Sequence, residues 1–193
     1  MSAAPKHRDA IVAAAATLFR RQGYAGTGLN DIVALSGAPK GSLYHYFPAG
    51  KTAIAEAAVR LSSANASRTL EDLAAKSGDA GDLVRAYASL LAGWIEKSGF
   101  TDGNAITTTL LEMAPHDAAV TAAGREAFDS WRRILADKLT ADGITSARAR
   151  ALAAMAVAAV DGSLVQARVE RSADVVHQVA KEVAAAFRTA GKS

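Results

Sequence analysis

Apolar residues recur along this chain at helical spacing, and the segments between them are short and rich in Gly, Pro, Ser and Asp. Ile11, Ala14, Ala15, Leu18 and Phe19 share one helical face from about Lys6 to Gln22, and Gly23 stops that helix. Leu29, Ile32 and Val33 predict a short helix over 29–35, followed by a tight turn through Ser36, Gly37 and Ala38. Pro39 suits the first position of a second short helix, which carries Leu43 and Phe47 toward the same small core. A long helix is expected from Lys51 to about Lys76, and Ser77–Asp82 is the clearest internal punctuation. Further helices are expected over 83–98, 105–113, from His116–Asp117 to a turn at Asp142–Gly143, over 146–170, and from Ser172 onward. Ser146 and Ser172 are the expected caps of the last two. No window shows sustained period-two alternation of β-branched residues, so the fold class is all-α, with about nine helices.

Composition sharpens this picture more than it changes it. Half of the 193 residues are hydrophobic, few are aromatic, and alanine dominates, which favours helices packed closely through small side chains. There is no Cys, hence no disulfide framework or thiolate metal site. The opening residues are polar rather than an apolar leader, and no uninterrupted run approaches the ~20 apolar residues of a membrane span. A cytoplasmic chain without a membrane partner is the expectation. The net charge is +3, but residues 1–51 hold six basic side chains (Lys6, Arg8, Arg20, Arg21, Lys40, Lys51) against Asp9 and Asp31. A basic N-terminal quarter on a near-neutral remainder fits a nucleic-acid-binding head on a non-binding body.

The two short helices carry the candidate chemistry. With Leu29, Ile32, Val33, Leu43 and Phe47 turned inward, Lys40, Ser42, Tyr44, His45 and Tyr46 project outward. Lysine and hydroxyl groups reach phosphates and base edges, and aromatic rings lie along the sugar–phosphate wall. Gly41, with no side chain, lets the backbone come close to a duplex. A helical hairpin that binds a protein partner is the alternative; the aromatic density on the polar face favours double-stranded DNA. Gly50-Lys51-Thr52 is not a P-loop, since His stands at position 45 and a helix precedes it. Its helix-start amides, with Lys51 beside them, are placed to hold a DNA phosphate.

GAPKGSLYHYF, preceded by LNDIVALS, resembles the helix-turn-helix of the TetR family of bacterial transcriptional regulators. The following FPAGK resembles its LmrA-type, drug-responsive subgroup, as does VDGSLVQARVERS at 160–172. The resemblance implies nine helices with three in the head. Gly28 stands where the family usually has a capping Ser or Thr, and adjacent Thr27 is the expected substitute for the cap and its phosphate contact. The domains expected are a DNA-binding domain over 1–50 and a ligand-binding and dimerisation domain over 51–193. The function implied is a repressor that binds a palindromic operator as a homodimer and is released by a small apolar or aromatic effector.

In the body, Trp94, Met113, Phe128 and Trp131 are large residues set among alanines; plain packing is the default, and a gap between helices is the alternative. Asp161 shares a helical face with Val157, Leu164 and Arg168, where a carboxylate needs a partner or water. An interhelical ion pair and a polar anchor in a ligand pocket are both open. Val157, Val160 and Leu164, with Val176, Val179, Val183 and Phe187, supply the expected dimer surface. The four His residues are scattered, no nucleophile–base spacing recurs, and GxSxG is absent, so no catalytic residue, metal ligand or cofactor is expected.

Overall fold

The computed structural model describes residues 4–191. Among these lie nine α-helices and no strand: α1 (Ala4–Gln22), α2 (Leu29–Ser36), α3 (Lys40–Tyr46), α4 (Lys51–Lys76), α5 (Ala80–Lys97), α6 (Ala105–Met113), α7 (Ala118–Ala141), α8 (Ser146–Glu170) and α9 (Asp174–Ala190). The polar opening residues 1–3 and the last two residues lie outside this description.

The expected boundaries shift where capping chemistry decides them. Helix α5 starts at Ala80 rather than Leu83, because the Asp79 carboxylate accepts the Asp82 N–H at 2.7 Å. Pro39 holds the cap position of α3, not its first turn, with ψ at 139°. Ser146 is the first helical residue of α8, and Thr145 before it makes no side-chain cap bond. Ser172 does accept a helix-start amide, that of Asp174 at 3.1 Å, although Ala173 occupies the cap position of α9.

The chain forms two compact units. The first comprises residues 1–64 and 104–127, thus α1, α2, α3, α6 and the adjoining parts of α4 and α7. Ile11, Ala15, Phe19, Ile32, Leu43, Phe47, Ile54 and Ile106 are buried in its core. Gly37, in the left-handed region at φ 63°, closes α2 by donating its N–H to Val33 O and turns the chain into α3. Gly124 of α7 faces α6 so closely that an added Cβ would lie 2.5 Å from a Leu110 methyl. The unit therefore reaches beyond the head of 1–50 read from the sequence: α6 belongs to it, pinned against α1.

The second unit comprises 65–103 and 128–193, with α5, α8 and α9 packed on one another. Gly81 brings α5 within reach of α9, since an added Cβ would stand 3.2 Å from the Ala184 Cβ. Val176, Ala180, Val183, Ala184 and Phe187 turn the apolar stripe of α9 into this core. That corrects part of the expected dimer surface. Val160, Val176, Val183 and Phe187 are between 1% and 7% exposed within one chain, so their own core takes up nearly all of their surface. Val157, which lines a cavity, Leu164 and Val179 remain partly accessible.

Candidate nucleic-acid interface and cavity

Helix α3 is seven residues long and buries Leu43 alone, with Phe47 following as a second buried anchor. Its other face is spent on nothing inside the molecule. Lys40, Gly41, Tyr44 and His45 are exposed, and Ser42 and Tyr46 are half-buried. Tyr44 is 52% exposed, unusual for a tyrosine ring on so small a helix. The His45 and Tyr46 rings meet edge to face at 4.9 Å, which orders the C-terminal turn of that face. An added Cβ at Gly41 would touch nothing within 4 Å. The fold itself thus places no steric demand for glycine there.

Thr27 departs from expectation. It is 1% exposed, and its hydroxyl donates to Gly23 O at 2.8 Å, so it neither caps α2 nor faces a phosphate. Gly28 is the cap residue, and its N–H donates to Asp31 Oδ2 at 2.9 Å, a reciprocal bond that the missing Ser or Thr side chain does not complete.

Lys51 opens α4 with its ammonium 4.1 Å from the Tyr24 ring centroid. Partial burial lowers its pKa, and the charge of Glu112 works in the opposite direction. Glu112 itself, near the end of α6, went unnoticed in the sequence. Its Oε1 accepts the Tyr24 N–H at 2.9 Å and its Oε2 the Ala25 N–H at 2.6 Å. A lone Glu at the end of a short helix carries no local pattern that announces a contact 88 residues away in sequence.

In the second unit, a cavity of about 40 Å³ is lined by Leu70, Leu83, Val84, Tyr87, Trp131, Leu135, Ala156, Val157, Val160 and Asp161. Of the residues expected at a ligand pocket, Trp131 and Asp161 line it. Phe128 stands behind Trp131, rings edge to face at 5.5 Å. Trp94, expected beside it, does not line it and is 55% exposed. Met113 is buried in the first unit and is likewise no part of it. Tyr87, missed in the sequence, is pushed up to about 12 by burial and, secondarily, by the charge of Asp161. Asp161 is therefore a cavity residue that acts on Tyr87. The Trp131 Nε1 is buried and has no hydrogen-bond partner, an uncommon state for an indole N–H.

Helix α8 is the one described helix long and apolar enough, by length and composition, to cross a membrane, and only 33% of that apolar window is buried. Met155, Val165 and Val169 are 42%, 55% and 81% exposed. With Ala151, Ala158 and Gly162, also exposed, they recur at alternating four- and three-residue spacing, the seam spacing of paired helices. Asp161 interrupts the apolar run of this helix, and its carboxylate sits on the cavity side.

A buried three-helix head with an unspent polar recognition helix defines a helix-turn-helix DNA-binding protein. A family model described as bacterial regulatory proteins, tetR family, matches residues 11–58. A second, described as transcriptional regulator LmrA/YxaF-like, C-terminal domain, matches residues 80–182. The HTH-type transcriptional regulator LmrA of Bacillus subtilis is 31% identical over 157 residues, covering 81% of this chain and 84% of that one. The HTH-type regulator YxaF of the same organism is 27% identical over 184 residues, covering 95% and 96%. A TetR transcriptional regulator from Chloroflexus aurantiacus superposes with a TM-score of 0.80 at 26% identity, covering 97% of each chain. The fold is shared too by a cysteine mutant of the regulator CifR complexed with 26-base-pair operator DNA, at a TM-score of 0.75 and 19% identity, covering 92% of this chain and 95% of that one. This chain belongs to the TetR family of bacterial transcriptional regulators and carries an LmrA/YxaF-like C-terminal domain. That membership makes the chain a DNA-binding regulator rather than a protein-interaction module.

Proposed function

We propose that this regulator is a repressor that grips a palindromic operator as a homodimer, inserting α3 of each copy into the major groove. The observation that carries the reading is the polar face of α3, exposed and without a structural task. Lys40, Ser42, Tyr44, His45 and Tyr46 supply the base and phosphate contacts, Gly41 gives the backbone its close approach, and Lys51 at the start of α4 holds a phosphate. Residues 1–50 act as the DNA-binding domain and 51–193 as the domain for ligand and dimer contacts.

Two recognition helices must sit about one turn of DNA, ~34–36 Å, apart, which takes two copies. The pairing surface is the exposed stripe Met155, Ala158, Gly162, Val165 and Val169 of α8, flanked by Leu164 and Val179. A helix with an apolar stripe outside its own core has a second face to bury, and small residues let two such helices approach closely.

The effector enters the cavity bounded by Tyr87, Trp131 and Asp161. At about 40 Å³ the empty cavity holds little more than a water or two. An apolar or aromatic molecule has to open it, and that is the source of control: the ligand binds the opened form better and shifts the population away from the DNA-competent one. Asp161 and the Tyr87 hydroxyl are the polar anchors in apolar walls. Such a protein works in the cytoplasm, where its operator lies. A mobility shift with DNA flanking its own gene, repeated against a library of small aromatic compounds, tests the reading. Specific retardation released by at least one compound supports it. No retardation of that DNA at low salt contradicts it.

A further inference from the structure

We propose that Glu112 is a positioning residue for DNA binding: its carboxylate fastens the turn between α1 and α2 and so fixes the helix-turn-helix in its DNA-competent orientation. The turn runs from Gly23 to Thr27 and makes few bonds of its own. Gly23 N–H donates to Phe19 O, Thr27 N–H to Tyr24 O, and the Thr27 hydroxyl to Gly23 O. Of the three amides between them, those of Tyr24 and Ala25 both go to Glu112, one to each carboxylate oxygen, at 2.9 and 2.6 Å. Two backbone N–H groups on one ionised carboxylate are charge-assisted bonds, roughly twice as strong as neutral ones.

The local sequence is built to admit that carboxylate. Gly23 lies in the left-handed region at φ 76°, and a Cβ there would fall 2.3 Å from Glu112 Oε1. Any other residue would both strain the turn and expel the carboxylate. The Tyr24 side chain is held as well: its ring lies 5.6 Å from that of Phe19 and 4.1 Å from the Lys51 ammonium. Thr108, one helical turn before Glu112, has its hydroxyl 3.0 Å from Phe19 O, with one proton to share between that carbonyl and Asn104 O at 2.9 Å. Glu112 lies inside the stretch matched by the C-terminal family model, yet it closes the turn that leads directly into α2. With Thr108, it is one of the points at which α6 takes hold of the head.

Removing the carboxylate leaves the α3 face and its phosphate contacts in place and frees the angle at which they are presented. The test uses the full chain and a duplex that the wild type retards. Glu112→Ala is expected to weaken binding about tenfold, the order of one charge-assisted hydrogen bond, with an unchanged slope of log affinity against log salt. Amide exchange at Tyr24 and Ala25 should quicken by a similar factor while the core amides of α1 do not change. Glu112→Gln, which keeps one acceptor oxygen, should fall between Ala and wild type in both readouts. A merely structural contact would lower the melting temperature and leave DNA affinity at 25 °C untouched, and that result overturns the proposal. So does unchanged exchange at the two amides, or tighter DNA binding by Glu112→Ala, which would make the carboxylate a repeller of phosphate.

Discussion

Helix α3 and helix α9 are both amphipathic, and the sequence reads them with very different success. On α3 the informative residues are the polar ones. Water is their default surrounding, so Lys40, Tyr44 and His45 stand where the pattern puts them, out in solvent. On α9 the informative residues are apolar, and a stripe of valines announces only that something covers it. Val176, Val183 and Phe187 are covered by their own chain. The surface proposed for a partner is on α8, where apolar residues are spread around the helix and periodicity is accordingly weakest. Hydrophobic pattern locates a face to be buried but not the molecule that buries it.

Substitutions on α9 and α8 give the largest separation of the two kinds of face. Val183→Asp places a charge in a closed core and is expected to prevent folding, or to cost several kcal/mol at the least. Circular dichroism and a denaturant titration read this directly. Val165→Asp with Val169→Asp should leave the protomer's helix content intact and yield monomers in sedimentation velocity. Folded Val183→Asp dimers together with unaffected Val165→Asp/Val169→Asp dimers would reverse the assignment of the faces.

Substitutions on α3 come next. Lys40→Ala should cost ~1–3 kcal/mol on the preferred duplex and relax sequence preference, whereas Lys51→Ala should weaken all duplexes alike and flatten the salt slope by about one. Competition binding against scrambled duplexes distinguishes the two. Gly41→Ala is the sharper probe, because an added methyl meets nothing inside the protein and alanine favours helix. Its melting temperature should hold or rise while DNA affinity drops. Unchanged affinity would mean the backbone there keeps its distance from the duplex.

The smallest expected effect concerns the cavity. Tyr87 has its folded pKa raised above the ordinary value of 10 to about 12, so its contribution to stability is complete below pH ~10 and is lost as pH rises toward 12. In an ultraviolet titration one of the four tyrosines should ionise near 12, and Tyr87→Phe should remove that step. Loss of a lower-pH step instead would place Tyr87 in water and dissolve the cavity's polar end.

The fold was legible because helix starts and stops are local. Gly23, Gly37, the Ser77–Asp82 run and Asp142–Gly143 punctuate the chain within a residue or three of where the helices break. What was not legible depends on pairs distant in sequence. Thr27 is the one local exception: its hydroxyl turns back to Gly23 O, four residues earlier, instead of capping α2. Trp94 resembled a pocket wall by size alone, while Tyr87, one helical turn from Val84, entered the cavity unannounced. Glu112 is the extreme case, a lone acid whose task is defined by two amides on another helix's exit.

On the proposed function, the outward face of α3 does nothing for the fold and everything for DNA. Fluorescence anisotropy on a labelled duplex from the region flanking its own gene tests it, with wild type and a Lys40→Ala, Tyr44→Ala, His45→Ala triple variant compared across salt concentrations. The triple variant is expected to melt at the wild-type temperature and to lose specific binding, while the wild-type affinity falls linearly in log–log with salt. A triple variant that binds the duplex as the wild type does would contradict it.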